Sequence, residues 1–314
     1  MPARLLSLVA ALLVAAAVAG CTLGPGGSND KGAHLTVTRD FGARTLVSAR
    51  EESIPGGQTV MRFLSGEADV ETRYGGRFVN AIEGVRSDLE GGRQRDWFYF
   101  VNGIEADVGA AERRVSGGDR VWWDYRDWSA AMRVPAVVGS YPEPFLSGSE
   151  GKRFPVRLDC AENAQDECRD VADRLDRAGV LASIAGIGAV TGKNVLRILV
   201  GEWEDVRGEA AAHEIEEGPG TSGVFARPAR GASGYEIDLL DPQGRVVRRL
   251  GAGAGIVAAA RFEGQQPTWV VSGTDAAGLE RAVRLVGVST LRDRFAVATA
   301  GQAPIPLPVR AGAG

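Results

Sequence analysis

The chain has little with which to carry out chemistry. Its 314 residues include only two histidines, His34 and His213, and three cysteines. The histidines are far from each other and from the cysteines, so no metal-ligand spacing is present. Neither a G-x-S-x-G elbow nor an H-E-x-x-H pair occurs. The glycine run Gly251-Ala-Gly-Ala-Gly255 departs from the G-x-G-x-x-G dinucleotide fingerprint and reads as a flexible turn. Without a nucleophile–base or metal constellation, the sequence reads as a non-enzyme that needs no cofactor. Lysine is scarce: Lys31, Lys152 and Lys193 are the only ones, and the other basic residues are arginine. A net charge of −4 speaks against a nucleic-acid partner. Apolar runs of bilayer-spanning length are also missing. The longest, Leu5 to Ala19, falls short of the roughly 20 residues a transmembrane helix needs.

That short run, preceded by Arg4, has the layout of a secretory signal. It ends in Val18-Ala19-Gly20-Cys21, which resembles the bacterial lipobox. The resemblance implies cleavage after residue 20 and lipid (diacylglycerol plus palmitate-type acyl chains) on Cys21. The membrane would then be a partner through that anchor. Residues 1–20 are the expected signal peptide. Residues 21–32, with four glycines and a proline, are the expected flexible tether. The location expected is extracytoplasmic, on the outer face of the plasma membrane, or at the outer membrane if the cell has two. With Cys21 acylated, Cys160 and Cys168 remain, either as a disulfide across a short strand-to-helix loop or as two free thiols.

The fold class expected is α+β, with two separate domains. In the first, 33–135, His34–Arg39 and Thr45–Arg50 read as a β-hairpin, and Thr59 caps a short helix with Val60, Phe63 and Leu64 on one side. Strands follow at 68–74, 78–82, 96–101 and 115–125, with a strong Asn102-Gly103 turn. Hairpin, helix, then strands is a β-grasp order. Alternation puts Trp97 and Tyr99 on one face of their strand, and Trp123 and Tyr125 together on theirs. Two readings of these aromatics stay open: an exposed binding surface, or core and interdomain contact.

The residues also carry a family resemblance. Phe78-Val-Asn-Ala-Ile-Glu-Gly84, Trp97-Phe-Tyr-Phe-Val-Asn-Gly103 and Gly118-Asp119-x-Val121-x-Trp123-x-Tyr125 resemble an uncharacterised domain family. That family is similar to the C-terminal β-domain of transcobalamin and intrinsic factor. The resemblance covers about a third of the chain and implies a small-ligand site involving Trp97, Tyr99, Asn102, Trp123 and Tyr125. A cobalamin-like vitamin follows by analogy only, because the α-helical barrel that completes the site in cobalamin carriers has no counterpart here.

Residues 136–151, with Pro142 and Pro144, read as an extended Pro/Gly linker. The second domain, 152–300, alternates strands (154–158, 194–200, 268–272) with helices ending near Gly179 and starting at Asp275, plus a 235–250 hairpin. This is an α/β pattern with a mixed sheet. A helix is expected from Glu204 to Ile215, with its acidic residues and His213 on a solvated face. Residues 301–314 read as a loose tail. The function that fits is a surface-anchored, non-enzymatic binding protein for a small ligand, working with a membrane transporter component. The alternative is a structural or adhesion protein that binds envelope polymer or another protein. The anchor has a direct check: a palmitate analogue fed to expressing cells should label the wild type and leave Cys21→Ala unlabelled, and equal labelling of both would refute it.

Overall fold

A computed structural model describes residues 31–88 and 94–310. The expected signal segment, Cys21 and the expected tether up to residue 30 lie outside the described residues, within which no helix is long and apolar enough to cross a membrane. The protein is α+β and mostly sheet.

Strands β1 (Ala33–Arg39) and β2 (Arg44–Glu51) form the opening hairpin, and α1 (Val60–Glu67) follows. The Thr59 hydroxyl accepts the Arg62 N–H at 3.2 Å, the N-cap bond the sequence predicts. A small meander comes next: β3 (Val70–Arg73), β4 (Phe78–Ile82) and β5 (Val85–Arg86). Strand β6 (Arg95–Val101) then turns through Asn102-Gly103, both at positive φ, into β7 (Ile104–Glu105). Strand β8 (Arg120–Asp127) lies between β6 and β1, antiparallel to the former and parallel to the latter, giving the order β2-β1-β8-β6-β7. One face of this sheet, with Leu35, Val37, Trp97, Tyr99, Trp123 and Tyr125, packs on Val60, Phe63 and Leu64 of α1.

The second half is built on a seven-stranded mixed sheet. It comprises β9 (Val156–Cys160), α2 (Gln165–Arg177), β10 (Ala182–Gly186), β11 (Leu196–Glu202), α3 (Trp203–Val206), α4 (Ala210–Glu217) and α5 (Pro219–Ser222). After these come β12 (Ala226–Arg230), β13 (Tyr235–Leu240), β14 (Val246–Leu250), β15 (Gly255–Ala260), β16 (Thr268–Gly273), α6 (Ala276–Leu285), α7 (Val288–Leu291), β17 (Ala296–Thr299) and β18 (Ile305–Leu307). The sheet order is β10-β9-β11-β16-β15-β17-β18, parallel from β10 to β16 and antiparallel beyond. Strand alternation sorts its residues. Leu158, Ile198, Val200 and Val271 meet α2 and α6, while Leu199, Ile256, Ala258 and Val270 face α3, α4 and the β12-β13-β14 sheet. Asp275 caps α6, accepting the Gly278 N–H at 2.8 Å. Cys160 and Cys168 are bonded, closing the β9–α2 loop.

Several expectations need correction. The 204–215 segment is two helices, α3 and α4, broken around Gly208. The glycine run does turn at residues 252–253, and the buried strand Gly255–Ala260 that follows it is one that the sequence pattern does not mark. In the tail, β18 pairs with β17 and Leu307 is buried. The 136–151 segment is not a free linker, since Val137, Val138, Tyr141 and Phe145 are all buried. It hydrogen-bonds to both halves, Val137 N–H to the Gly103 carbonyl (2.9 Å) and Val138 N–H to the Phe295 carbonyl (3.2 Å). Its apolar residues are buried, and its prolines restrict the unfolded chain and so lower the cost of ordering it.

The halves are not separate cores either. Phe41, Phe100 and Trp122 enter the same cluster as Phe225 and Phe295 of the second half. Phe41 meets both phenylalanines edge-on, with ring centroids 5.1 Å apart. It sits in the β1–β2 turn, where Asp40, Phe41 and Gly42 all have positive φ. Asp124 on β8 holds that turn. Its carboxylate accepts the N–H groups of Phe41 (2.9 Å) and Gly42 (3.0 Å) and the Thr38 hydroxyl (2.5 Å). Thr38 in turn accepts the Trp122 indole N–H at 2.7 Å. Gly42 is required for room as well as φ, because a Cβ there would lie 1.7 Å from the Asp293 carbonyl oxygen.

Two outcomes follow. Phe41→Ala should destabilise the whole chain by about 3–5 kcal/mol, and calorimetry should show one unfolding transition for both halves; two resolved transitions would mean that the shared core does not couple them. Burial pushes the Asp124 carboxyl up to about 7, against the opposing pull of its hydrogen bonds and of Arg126. A folded-state value above the unfolded one means that Asp124 contributes stability in acid, and that this contribution is lost as pH rises through about 7. Denaturant midpoints of the wild type should therefore fall more steeply from pH 4 to pH 7 than those of Asp124→Asn, and parallel profiles would contradict the assignment.

Candidate functional site

The residues expected to bind ligand are placed as follows. Trp97, Tyr99, Trp123 and Tyr125 are buried under α1, with Tyr99 stacked on Trp123 at 4.8 Å and Trp97 beside Tyr125 at 5.3 Å. The Trp97 indole donates to the Val85 carbonyl and the Tyr99 hydroxyl to the Val108 carbonyl. The sheet's opposite aromatic face is covered by the second half, so neither face is an open aromatic surface. Asn102 is fully buried. Its amide donates to Asp119 and to the Gly148 carbonyl, both at 2.8 Å, and its oxygen accepts the Arg120 N–H. The Asn-Gly and Gly-Asp signatures are thus two ends of one hydrogen-bonded knot that ties β6 and β8 to the 136–151 segment. The acidic stretch is spent on structure: Glu216 accepts the Trp203 indole N–H, and Glu209 pairs with Arg197.

A concave surface lies elsewhere, where β6 and β7, the segment after β8 and the β15–β16 loop meet. Its organiser is Glu105. This buried carboxylate accepts from Arg126 (3.2 Å), from Arg133 Nε (3.1 Å) and from the Val134 N–H (3.3 Å). Arg126, itself fully buried, also donates to the carbonyls of Ala131 and Met132 and lies 3.7 Å over the Phe98 ring. This buried pair, with the terminal nitrogens of Arg126 engaged and its buried Nε unpartnered, fixes the 131–134 segment against the sheet edge.

Along this edge runs a groove made of adjoining depressions. One, of about 300 Å³, is mainly apolar, walled by Trp97, Phe98, Tyr99, Ala106 and the exposed Met132. It shares Arg133 with a second, of about 240 Å³, that includes Asp107, Arg261 and Phe262. A third, polar and about 270 Å³, continues over Glu150, Lys152 and Asn194 and again includes Arg261. A small pit between them is lined by Asp107, Arg113, Glu150 and Arg261. Arg113 pairs with Glu150 at 2.8 Å. Burial holds the Arg261 guanidinium below its ordinary value, with Asp107 pulling the other way. Among the described residues no cluster of three or more His, Cys, Asp or Glu is arranged to hold a metal ion.

The groove therefore borrows Trp97 and Tyr99, at its edge, from the expected site, and leaves Asn102, Trp123 and Tyr125 out. Arg113, Arg133 and Arg261 were not legible as a group, since they come from three distant stretches. A signal for Arg261 exists in hindsight: it directly follows the all-apolar run Ile256–Ala260, the position of a charged residue at the exit of a buried strand.

Comparison with known proteins bears on the first half. Residues 57–127 match a family described as a domain of unknown function (DUF4430). No curated protein matches the chain. Among solved structures, a protein from Ruminococcus gnavus, described as a candidate metal-binding protein, is similar at 17% identity with a TM-score of 0.23. The alignment covers 31% of this chain and 97% of that one.

Proposed function

We propose that this chain is a lipid-anchored extracytoplasmic binding protein. In this reading the groove between β6, the 131–135 segment and the β15–β16 loop takes up a small organic ligand and passes it to a transporter component in the membrane. The observation that carries the reading is the groove itself: an apolar wall at Met132 and Phe98 that continues into a polar wall at Arg261. Ligand sites commonly combine apolar contact area with a few placed polar groups.

In the same reading the first half is a β-grasp unit. The β2-β1-β8-β6-β7 order with a central parallel pair and α1 across one face supports this. The resemblance to the transcobalamin C-terminal β-domain suggests a vitamin of cobalamin type as the first ligand to try. Export and acylation at Cys21 supply the location.

Intrinsic tryptophan fluorescence provides the readout, since Trp97 belongs to the strand that lines the groove although its ring packs on the far face. Tryptophan emission of the chain from Gly32 onward should quench or shift on titration with cobalamin, related corrinoids or another member of a vitamin and cofactor panel. The same change should weaken in Met132→Asp, whose exposed position spares the fold. A flat response across the panel would end the uptake reading.

A further inference from the structure

Arg261 stands where three of the groove's depressions meet. Its Nε–H donates to the Gln265 carbonyl at 2.9 Å, which fixes the plane of the guanidinium. Its terminal nitrogens have no acceptor on the protein among the described residues, and no carboxylate pairs with it. The neighbouring arginines differ: Arg113 is engaged by Glu150, and Arg133 by Glu105. Arg113 lines one depression with Arg261, and Arg133 lines another. A half-buried guanidinium with an unused planar fork is a strong donor lacking its acceptor. Water can fill the position, but a planar or tetrahedral oxyanion matches the fork better.

We propose that Arg261, flanked by Arg113 and Arg133, is an oxyanion subsite, and that the groove's ligand is an amphipathic organic anion. Its apolar ring body lies on the Met132 and Phe98 wall, and its single carboxylate, sulfonate or phosphate group lies against Arg261. The inference rests on the groove being the ligand site. The charge pattern narrows the class further. Asp107 and Glu263 line the same walls as Arg261, so the field is mixed rather than uniformly basic. One localised negative group is stabilised, whereas a polyanion would meet repulsion along most of its length.

Two dyes that differ by one group test this. Anilinonaphthalene sulfonate carries the apolar rings and an anion, and N-phenylnaphthylamine carries the same rings without the charge. Both are titrated by fluorescence into the full chain and its variants, with thermal melts confirming the fold. Arg261→Gln, which keeps an N–H near Gln265, should weaken the sulfonate dye about tenfold or more, the effect of losing a charge-assisted hydrogen bond. It should leave the neutral dye unchanged, and Arg261→Lys should recover part of the loss. Unchanged sulfonate binding in Arg261→Gln, or an equal loss of both dyes, would overturn the oxyanion subsite. In the first case the groove reading survives, provided the neutral dye binds the wild type and is weakened by Met132→Asp. If neither dye binds the wild type, or Met132→Asp changes neither, the groove reading fails and this inference with it.

Discussion

The insertion of Phe41 into the second half is the contact on which the rest of the molecule depends. A single aromatic ring at a hairpin turn would ordinarily be exposed, because three consecutive residues at positive φ are costly and mobile. Here the Asp124 carboxylate accepts two N–H groups of that turn and a hydroxyl from its own sheet, so the turn is fixed before it meets its partner. The ring then sits between Phe225 and Phe295, and Trp122 and Phe100 complete the seal. The close approach at Gly42 leaves no room for sliding. Without this contact the two sheets would be joined only by Phe100 and Trp122 on Phe295, the loop contacts around them and the 134–145 segment.

Glu105 plays the corresponding part at the groove. It lies at the end of a two-residue strand, too short to be held by its own ladder. It is kept in place by Arg126, which is itself wholly buried, and by Arg133. The arrangement turns a strand edge, normally a liability, into a supported rim. It also explains why Met132 stays exposed on that rim while its neighbour Ala131 is buried: the carbonyls of both are pinned by the same guanidinium.

What was legible in the sequence was what depends on near neighbours. The Thr59 cap, the Asn102-Gly103 turn, the Asp275 cap and the alternating strands at 33–39, 95–101 and 235–240 follow from patterns a few residues long. Strand Gly255–Ala260 was not legible, because small residues read as flexibility unless the close packing around them is known; a Cβ on Gly255 would collide with the Gly278 carbonyl oxygen. The 136–151 segment looked like a spacer because proline content is a local signal and burial is not. The aromatics were sorted correctly onto two faces, but alternation cannot say that both faces are covered. The groove suffered most: Arg113, Arg133 and Arg261 belong to three loops, and only the docking of the two halves makes them neighbours.

The fixed seam between the halves also sets the kinetics of whatever enters the groove. Many two-lobed binding proteins close on a hinge and hold their ligand until the lobes reopen, so release waits on a slow conformational step. Here the lobes are fused through a common aromatic core, and the groove is open along its length. Binding then involves little rearrangement, and departure is limited by the contacts themselves rather than by a gate. Such a surface suits rapid exchange, in which a bound molecule is held by its contacts but never enclosed.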